Sequence, residues 1–159
     1  MNNLNDKWKL WYHSINDNNW DKNSYKDIYD LNNLLDYQHI KDIFQQDHYQ
    51  NGMFFCMKDD IFPNWEDPDN RNGGCLSFKV PSKNIINEWN NLLLKIITNN
   101  LFLSDHYDEI NGLSISPKKE FNIIKIWFKN SDFNYKLDFQ QDENSDINID
   151  NSLYKKHQF

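Results

Sequence analysis

Cys75-Leu-Ser-Phe-Lys-Val-Pro-Ser-Lys-Asn-Ile-Ile-Asn-Glu-Trp-Asn-Asn-Leu-Leu-Leu-Lys-Ile-Ile97 changes its hydrophobic period part-way along. In the first part Leu76, Phe78 and Val80 alternate with Ser77 and Lys79, the two-residue period of a half-buried strand, and Pro81-Ser82 ends it. Beyond that point Ile85, Ile86, Trp89, Leu92, Leu93, Ile96 and Ile97 recur at helical spacing and form a single apolar stripe, with Ser82 as the expected N-cap. An amphipathic helix must cover something. The stretch therefore predicts a helix laid on one face of a sheet.

Working outward, residues 7–15 set Trp8, Leu10 and Tyr12 on one side and read as a strand, and residues 53–58 read as a second, short apolar one. Leu113 with Ile115, then Ile124, Ile126 and Phe128 against Ile123, Lys125 and Trp127, predict two more, joined near Pro117. Phe133, Tyr135, Leu137 and Phe139 alternate, which predicts a further strand, and Ile147 with Ile149 predicts the start of a last one. A short helix capped by Asp30 is expected to carry Leu31, Leu34 and Leu35. Residues 16–24, 63–74 and 140–151 are polar, turn-rich loops. The expected fold class is α+β, a largely antiparallel sheet with its helices on one face, and residues 1–159 are of a size for one domain.

Aromatic residues make up 16% of the chain, too many for a disordered polymer despite its abundance of asparagine. Lys+Arg of 17 against Asp+Glu of 24 gives a net charge of -7, which argues against gripping long nucleic-acid backbones. Any nucleic-acid ligand is expected to be short. The two cysteines, Cys56 and Cys75, are too few for a disulfide scaffold, so a reducing, intracellular setting is expected. With no signal organisation at the start and no long apolar run, the chain reads as soluble, with no membrane partner.

Trp8, Trp11 and Trp89 lie in apolar periodic segments and read as core. Trp20 and Trp65 instead stand in the most polar stretches, where a large indole has few apolar neighbours and where loops carry binding function. Glu66, beside Trp65, is either a solvated carboxylate or an acceptor for two parallel N–H donors on the edge of a flat ligand. Two indoles and a carboxylate suit a flat, cationic, hydrogen-bond-donating ring, and a guanine methylated at N7 is such a ring. Its phosphates would require local cations, for which Lys118, Lys119, Lys125 and Arg71 are candidates beside the plainer reading of solvated surface charge. Asp67-Pro-Asp-Asn-Arg-Asn-Gly-Gly74 fails as a calcium loop, because Arg71 takes a ligand position. His13, His39, His48, His106 and His157 show no metal spacing, and no nucleophile is paired with a base. The expectation is a binding protein, not an enzyme, with no cofactor and no metal.

Taken in order, Trp8-x-x-Trp11-Tyr12, the lone Trp20, Phe62-Pro-x-Trp65-Glu66-Asp67-x-x-Asn70-x-x-Gly73-Gly74 and Ile124-x-Ile126-Trp127 strongly resemble the eukaryotic translation initiation factor 4E family, the messenger RNA cap-binding proteins. The resemblance implies a curved antiparallel sheet with helices on its convex face and a slot for 7-methylguanosine on the concave side. It implies stacking on Trp20 and Trp65, the guanine edge on Glu66, and contact of the methyl group with Trp127, which periodicity alone leaves in the core. Cys75-Leu76 stands where the family usually has Arg-Trp, a family arginine falls near Lys118 and a family lysine at Ile123, so Lys119 and Lys125 become substitutes on the phosphates.

The resemblance further implies a cytoplasmic role in translation initiation, with capped mRNA (7-methylguanosine triphosphate) as one partner. The other is a scaffold protein of the initiation factor 4G type or a dedicated equivalent, met on a face drawn from Leu31, Leu35, Asn90 and Leu94. Leu35 stands nearest the family's dorsal tryptophan, and Asn90 and Asn91 replace an apolar contact and an acid, so weak binding of the ordinary Tyr-x-x-x-x-Leu peptide is expected. The stretch after Trp127 is short for the family, which predicts a remodelled C-terminal third. The alternatives are a decoy of the same fold and an aromatic-cage reader of methylated lysine, which would make no use of Glu66.

Overall fold

The paired faces expected from alternating strands are present in the computed structural model, which describes residues 3–104, 106–136 and 138–157. Seven strands form one curved sheet, β1 (Asn3–Ser14), β2 (Lys26–Asn33), β3 (Gly52–Lys58), β4 (Gly74–Pro81), β5 (Ile110–Pro117), β6 (Phe121–Phe128) and β7 (Leu153–Lys156). Their order is β2-β1-β3-β5-β6-β4-β7, and every pair is antiparallel. Three helices, α1 (Leu34–Ile43), α2 (Gln46–Asn51) and α3 (Ile85–Ile97), cover one face.

Strand parity sorts the side chains. Trp8 and Leu10 of β1, Leu76, Phe78 and Val80 of β4, and Ile124, Ile126 and Phe128 of β6 pack with Trp89, Leu92, Leu93 and Ile96 of α3 into the main core. The opposite face has a smaller cluster of Phe55, Met57, Cys75 and Trp127, flanked by Trp11, Tyr25 and Met53 and left uncovered by helices. Trp8 and Trp89 are core residues as expected, whereas Trp11 belongs to this second face.

Several expectations need correction. Leu31 does not lie on a helix: Asp30 and Leu31 belong to β2, opposite Lys9 and Trp8, and the Lys9 ammonium sits 3.6 Å from Asp30 and 2.8 Å from Asp27. Helix α1 starts later because Asn33, not Asp30, caps it, accepting from the Asp36 N–H at 3.0 Å, while the Asp36 carboxylate reaches back to the Asn32 N–H at 2.8 Å. Ser82 is not the N-cap of α3 either. A 3-10 turn, Ser82–Asn84, intervenes, and Asn84 makes no capping bond, its amide donating instead to Asp146 at 2.8 Å.

Residues 133–139 do not form a strand, apart from an isolated bridge between Phe139 and Phe102, and Leu137 lies outside the described residues. Their alternating rings serve another purpose: Phe133 packs edge-on to Phe102 at 5.4 Å, and Tyr135 stacks between Phe128 and Tyr154. Ile147 and Ile149 do not begin a strand, since a 3-10 turn, Ile149–Asn151, precedes β7. Glu88 of α3 fastens the segment before that turn, accepting from Ser145 Oγ and the Asp146 and Ile147 N–H groups. Ile147 is thereby buried in the core.

Candidate functional site

The loop after β3 shows why the Pro-x-Trp-Glu-Asp-x-x-Asn spacing holds. Asn64 accepts from the Asp67 N–H at 2.9 Å, and the Asp67 carboxylate accepts from the Phe62 and Asp69 N–H groups. Buried Asn70 donates to the carbonyls of Phe62 and Asn64 at 3.0 and 2.8 Å, and its own Oδ1 accepts from Asn111 of β5 at 2.9 Å. Three short amide and carboxylate side chains thus engage five of the loop's backbone groups, on both sides of Trp65 and Glu66. Asp67 is engaged as a backbone acceptor, not as a cation ligand. At Gly73 a Cβ would come within 1.7 Å of the Phe128 carbonyl oxygen, so only glycine lets the loop run this close to β6.

This loop forms one wall of a cavity of about 310 Å³ on the face away from the helices. Trp65 and Glu66 line it together with Trp20 from the loop after β1, Tyr25, Phe55 of β3, Lys125 and Trp127 of β6, and Ser114 of β5. The sheet register explains the floor: Trp11, Phe55, Ser114, Lys125 and Ser77 are successive cross-strand partners and therefore share a face. Trp127 is only 7% exposed and its indole N–H donates to Ser114 Oγ at 3.0 Å, so it is buried in the second cluster and also part of the cavity wall. Trp20 is 50% exposed and Glu66 is exposed.

Among the expected phosphate contacts only Lys125 lines the cavity. Lys118 and Lys119 are exposed at the turn between β5 and β6, outside the lining, and Arg71 is exposed in the loop beyond it. On the expected partner face, Leu35 is 47% exposed and Leu94 half-buried, but two residues are corrected. Leu31 is wholly buried in the main core, and Asn90 is 3% exposed, on the inner side of α3, where its carbonyl accepts from Tyr37 Oη at 2.9 Å. Neither can meet a partner from outside.

Reading the sequence did not single out Tyr25, Phe55 or Ser114. Burial, and then the Glu66 carboxylate, push the Tyr25 phenol up to about 12, and both side chains line the cavity. Lys155 is exposed and outside the cavity lining. Lying opposite Cys75 on β7, it shares the cavity's face of the sheet, since its neighbour Tyr154 packs into the core side. Register parity would have found Phe55, Ser114 and Lys155, but register is not visible before the strands are paired, and Tyr25 follows a 3-10 turn and has no register at all.

Cys75 Sγ lies 3.0 Å from His157 Nε2, and His157 Nδ1 lies 2.9 Å from the Asn70 carbonyl, an arrangement that outwardly suggests a nucleophile with its base. Burial pushes the Cys75 thiol up to about 12 and holds the His157 imidazole below its ordinary value, which favours a neutral thiol hydrogen-bonded to a neutral imidazole over a thiolate. Among the described residues no group of three or more His, Cys, Asp or Glu side chains could hold a metal ion. No described helix is long and apolar enough to cross a membrane.

The architecture is a curved antiparallel sheet backed by three helices, with an aromatic slot on its open face and a carboxylate at the rim. The chain belongs to the eukaryotic initiation factor 4E family, whose sequence model matches residues 3–158. It is 26% identical to a Dictyostelium discoideum eukaryotic translation initiation factor 4E over 96% of this chain and 58% of that protein. It is 36% identical to Arabidopsis thaliana eukaryotic translation initiation factor 4E-1 over 49% of this chain and 32% of that one. The chain thus spans about a third to somewhat over half the length of these relatives.

Among solved structures, C. elegans eIF4E-3, in a complex with the 4E-binding protein Mextli and a cap analog, matches with a TM-score of 0.73 at 21% identity over 81% of this chain and 75% of that one. Ascaris suum eIF4E-3 with an m7G cap matches with a TM-score of 0.72 at 20% identity over 82% of this chain and 74% of that one.

Proposed function

We propose that the chain binds the 7-methylguanosine cap of messenger RNA in the slot lined by Trp20, Trp65, Glu66 and Trp127 and recruits capped messages to translation initiation. One observation carries the reading: Trp20, the Trp65-Glu66 pair and Trp127, from three separate stretches of sequence, line a single cavity of about 310 Å³. The methylated ring is flat and cationic, so it gains from indole faces on both sides, while its N1–H and N2–H present two donors to Glu66. Trp127 stands at the methyl group. Lys125, with Lys155 further along the same face, meets the negative phosphate chain, and Lys118 and Lys119 are a secondary, peripheral charge. The reading is supported by the relatives solved with a cap analog and with an m7G cap.

Residues 1–159 act in this reading as a single cap-binding domain working in the cytoplasm, with no chemistry or cofactor of its own. Its protein partner is a scaffold of the initiation factor 4G type or a dedicated equivalent, met on the helix face around Leu35 and Leu94. Mextli and the 4E-binding protein of the schistosome complex support such a partner.

Titration of the intrinsic tryptophan fluorescence with 7-methyl-GTP and with GTP is the test. Stacking contributes on the order of 1–3 kcal/mol per base and a desolvated cation–π contact about 2 more, so the methylated nucleotide is expected to bind at least about tenfold more tightly. Glu66→Gln keeps the size but removes the charge, and with hydrogen bonds to charged groups at roughly 1.5–3 kcal/mol it is expected to weaken binding about tenfold or more, leaving the melting temperature unchanged. Equal affinity for GTP and 7-methyl-GTP overturns the reading, and an unaltered Glu66→Gln variant removes its guanine-edge contact.

A further inference from the structure

His13 is wholly buried, yet it is a polar side chain on the slot face of β1, paired across the strands with Met53, itself a lining residue. Both ring nitrogens lie close to polar neighbours. Nδ1 lies 2.9 Å from the Ser14 carbonyl, and Nε2 lies 2.7 Å from the Asn19 carbonyl and 3.1 Å from Ser24 Oγ. Tyr25 closes on it edge-on at 5.1 Å. So placed, the imidazole lies flat against the indole of Trp20, with ring centroids 3.7 Å apart and planes only 3° from parallel.

Trp20 itself rides a polar loop outside the strand ladder, where Asn16, Asn19 and Asp21 N–H groups are satisfied by nearby side chains and His13 reaches the Asn19 carbonyl. Tyr25 meets the edge of this indole at 5.9 Å, and the stack on His13 fixes the plane of its face. Because the imidazole covers one face of the indole, a ligand ring has only the other on which to stack.

We infer that His13 is a positioning residue that holds the Trp20 indole ready for a flat ligand ring; the inference rests on the slot reading of Trp20 given above. The expected arrangement in the complex is a stack of imidazole, indole, ligand ring and the second indole of Trp65. With His13 in place, binding does not have to freeze a large side chain. Without a flat ring beneath it, Trp20 samples other orientations, and that ordering is charged to binding: affinity is expected to fall by about three- to tenfold.

Two variants separate a flat ring from mere filling of space. His13→Leu and His13→Phe both fill the buried site with an apolar side chain and both lose the contacts to Ser14 and Asn19, but only phenylalanine can stack. Two measurements are made on each full-length variant: its dissociation constant for 7-methyl-GTP, and the accessibility of Trp20 to acrylamide in the free protein, read as the difference from the same variant carrying Trp20→Phe. The expected result is weaker binding and a more accessible Trp20 in His13→Leu, with both restored toward wild type in His13→Phe. If the two variants agree in affinity and in accessibility, or if leucine leaves both at wild-type values, the inference is overturned. Should the wild-type protein not bind 7-methyl-GTP at all, the cap reading fails, while the accessibility of Trp20 in the free protein still decides whether His13 positions it.

Discussion

Lys125 differs from Lys118 and Lys119 in one respect that decides its role: its partners across the sheet are Ser77 and Ser114, so its side chain shares a face with the slot. A lysine at a hairpin turn has no such constraint and is screened by solvent. Lys125→Ala is accordingly expected to weaken 7-methyl-GTP by about tenfold, the scale of one charge-assisted hydrogen bond, and to change 7-methylguanosine by less than about twofold. The paired change Lys118→Ala with Lys119→Ala is expected to stay within about threefold for both ligands at ordinary salt. Comparing nucleotide with nucleoside affinities by fluorescence checks this. A larger loss from the turn pair than from Lys125 would move the phosphate path to the turn.

At the level of elements, β7 is a short edge strand whose hold on the sheet extends past its own ladder. Its following residue, His157, donates its backbone N–H to Gly73 at 2.9 Å and packs edge-on to Trp127 at 5.3 Å. Burial is the main cause of its lowered pKa; the hydrogen bond to Asn70 opposes it, and the positive charge of Lys125 adds to it. The unfolded chain therefore binds this proton more readily than the folded one. The stability it contributes is present in full above the ordinary histidine value of 6.5 and is lost as pH falls through the lower folded value.

His157→Phe keeps a ring against Trp127 and cannot titrate, and the Asn70 carbonyl retains the Gly73 N–H at 2.9 Å. The fall in melting temperature between about pH 7.5 and about pH 5 is expected to be smaller in this variant than in wild type, as measured by circular dichroism. An identical fall in both would mean that β7 stays docked whether His157 is charged or not.

At the scale of the whole molecule, a single sheet serves two purposes. One face is sealed by α3 and its neighbours and supplies stability, whereas the other keeps its aromatic residues around an open slot. Side chains on that face have no helix to pack against, so a ligand that fills the slot must stabilise the fold. At a concentration about 100-fold above its dissociation constant, 7-methyl-GTP is expected to add about 2.7 kcal/mol. For a chain of this size that corresponds to roughly 5–10 °C in melting temperature. GTP at the same concentration is expected to shift it much less. Thermal melts with each nucleotide check the expectation, and equal shifts would contradict it.

Local pattern was enough to read the longest elements and the identity of the slot's rim. The two-residue alternation of Leu76, Phe78 and Val80 and the helical stripe from Ile85 to Ile97 each follow from which side of one element faces the core, and no other part of the chain is needed to see it. Trp20, Trp65 and Glu66 were legible for a related reason: a large indole in a polar loop is out of place unless something else covers it. The edge strand β2 was not legible, because Leu31 is its only buried residue and a strand exposed along most of its length leaves little periodicity. The aromatic alternation from Phe133 to Phe139 misled in the opposite sense, since it answered to ring packing on Phe102, Phe128 and Tyr154, not to a ladder.

What the sequence by itself determined was the α+β class, the two faces of its main elements and the chemistry of the rim. What only the tertiary structure decided was which residues stand beside one another across the sheet. Pairing puts Lys125 and not Lys118 at the slot and buries Leu31, the docking of α3 turns Asn90 inward, and closure of the loop after β1 lays Trp20 flat on His13. Neighbours of that kind are fixed by strand register and loop closure between distant segments, and those are set by how the whole core packs and not by any one stretch of the chain.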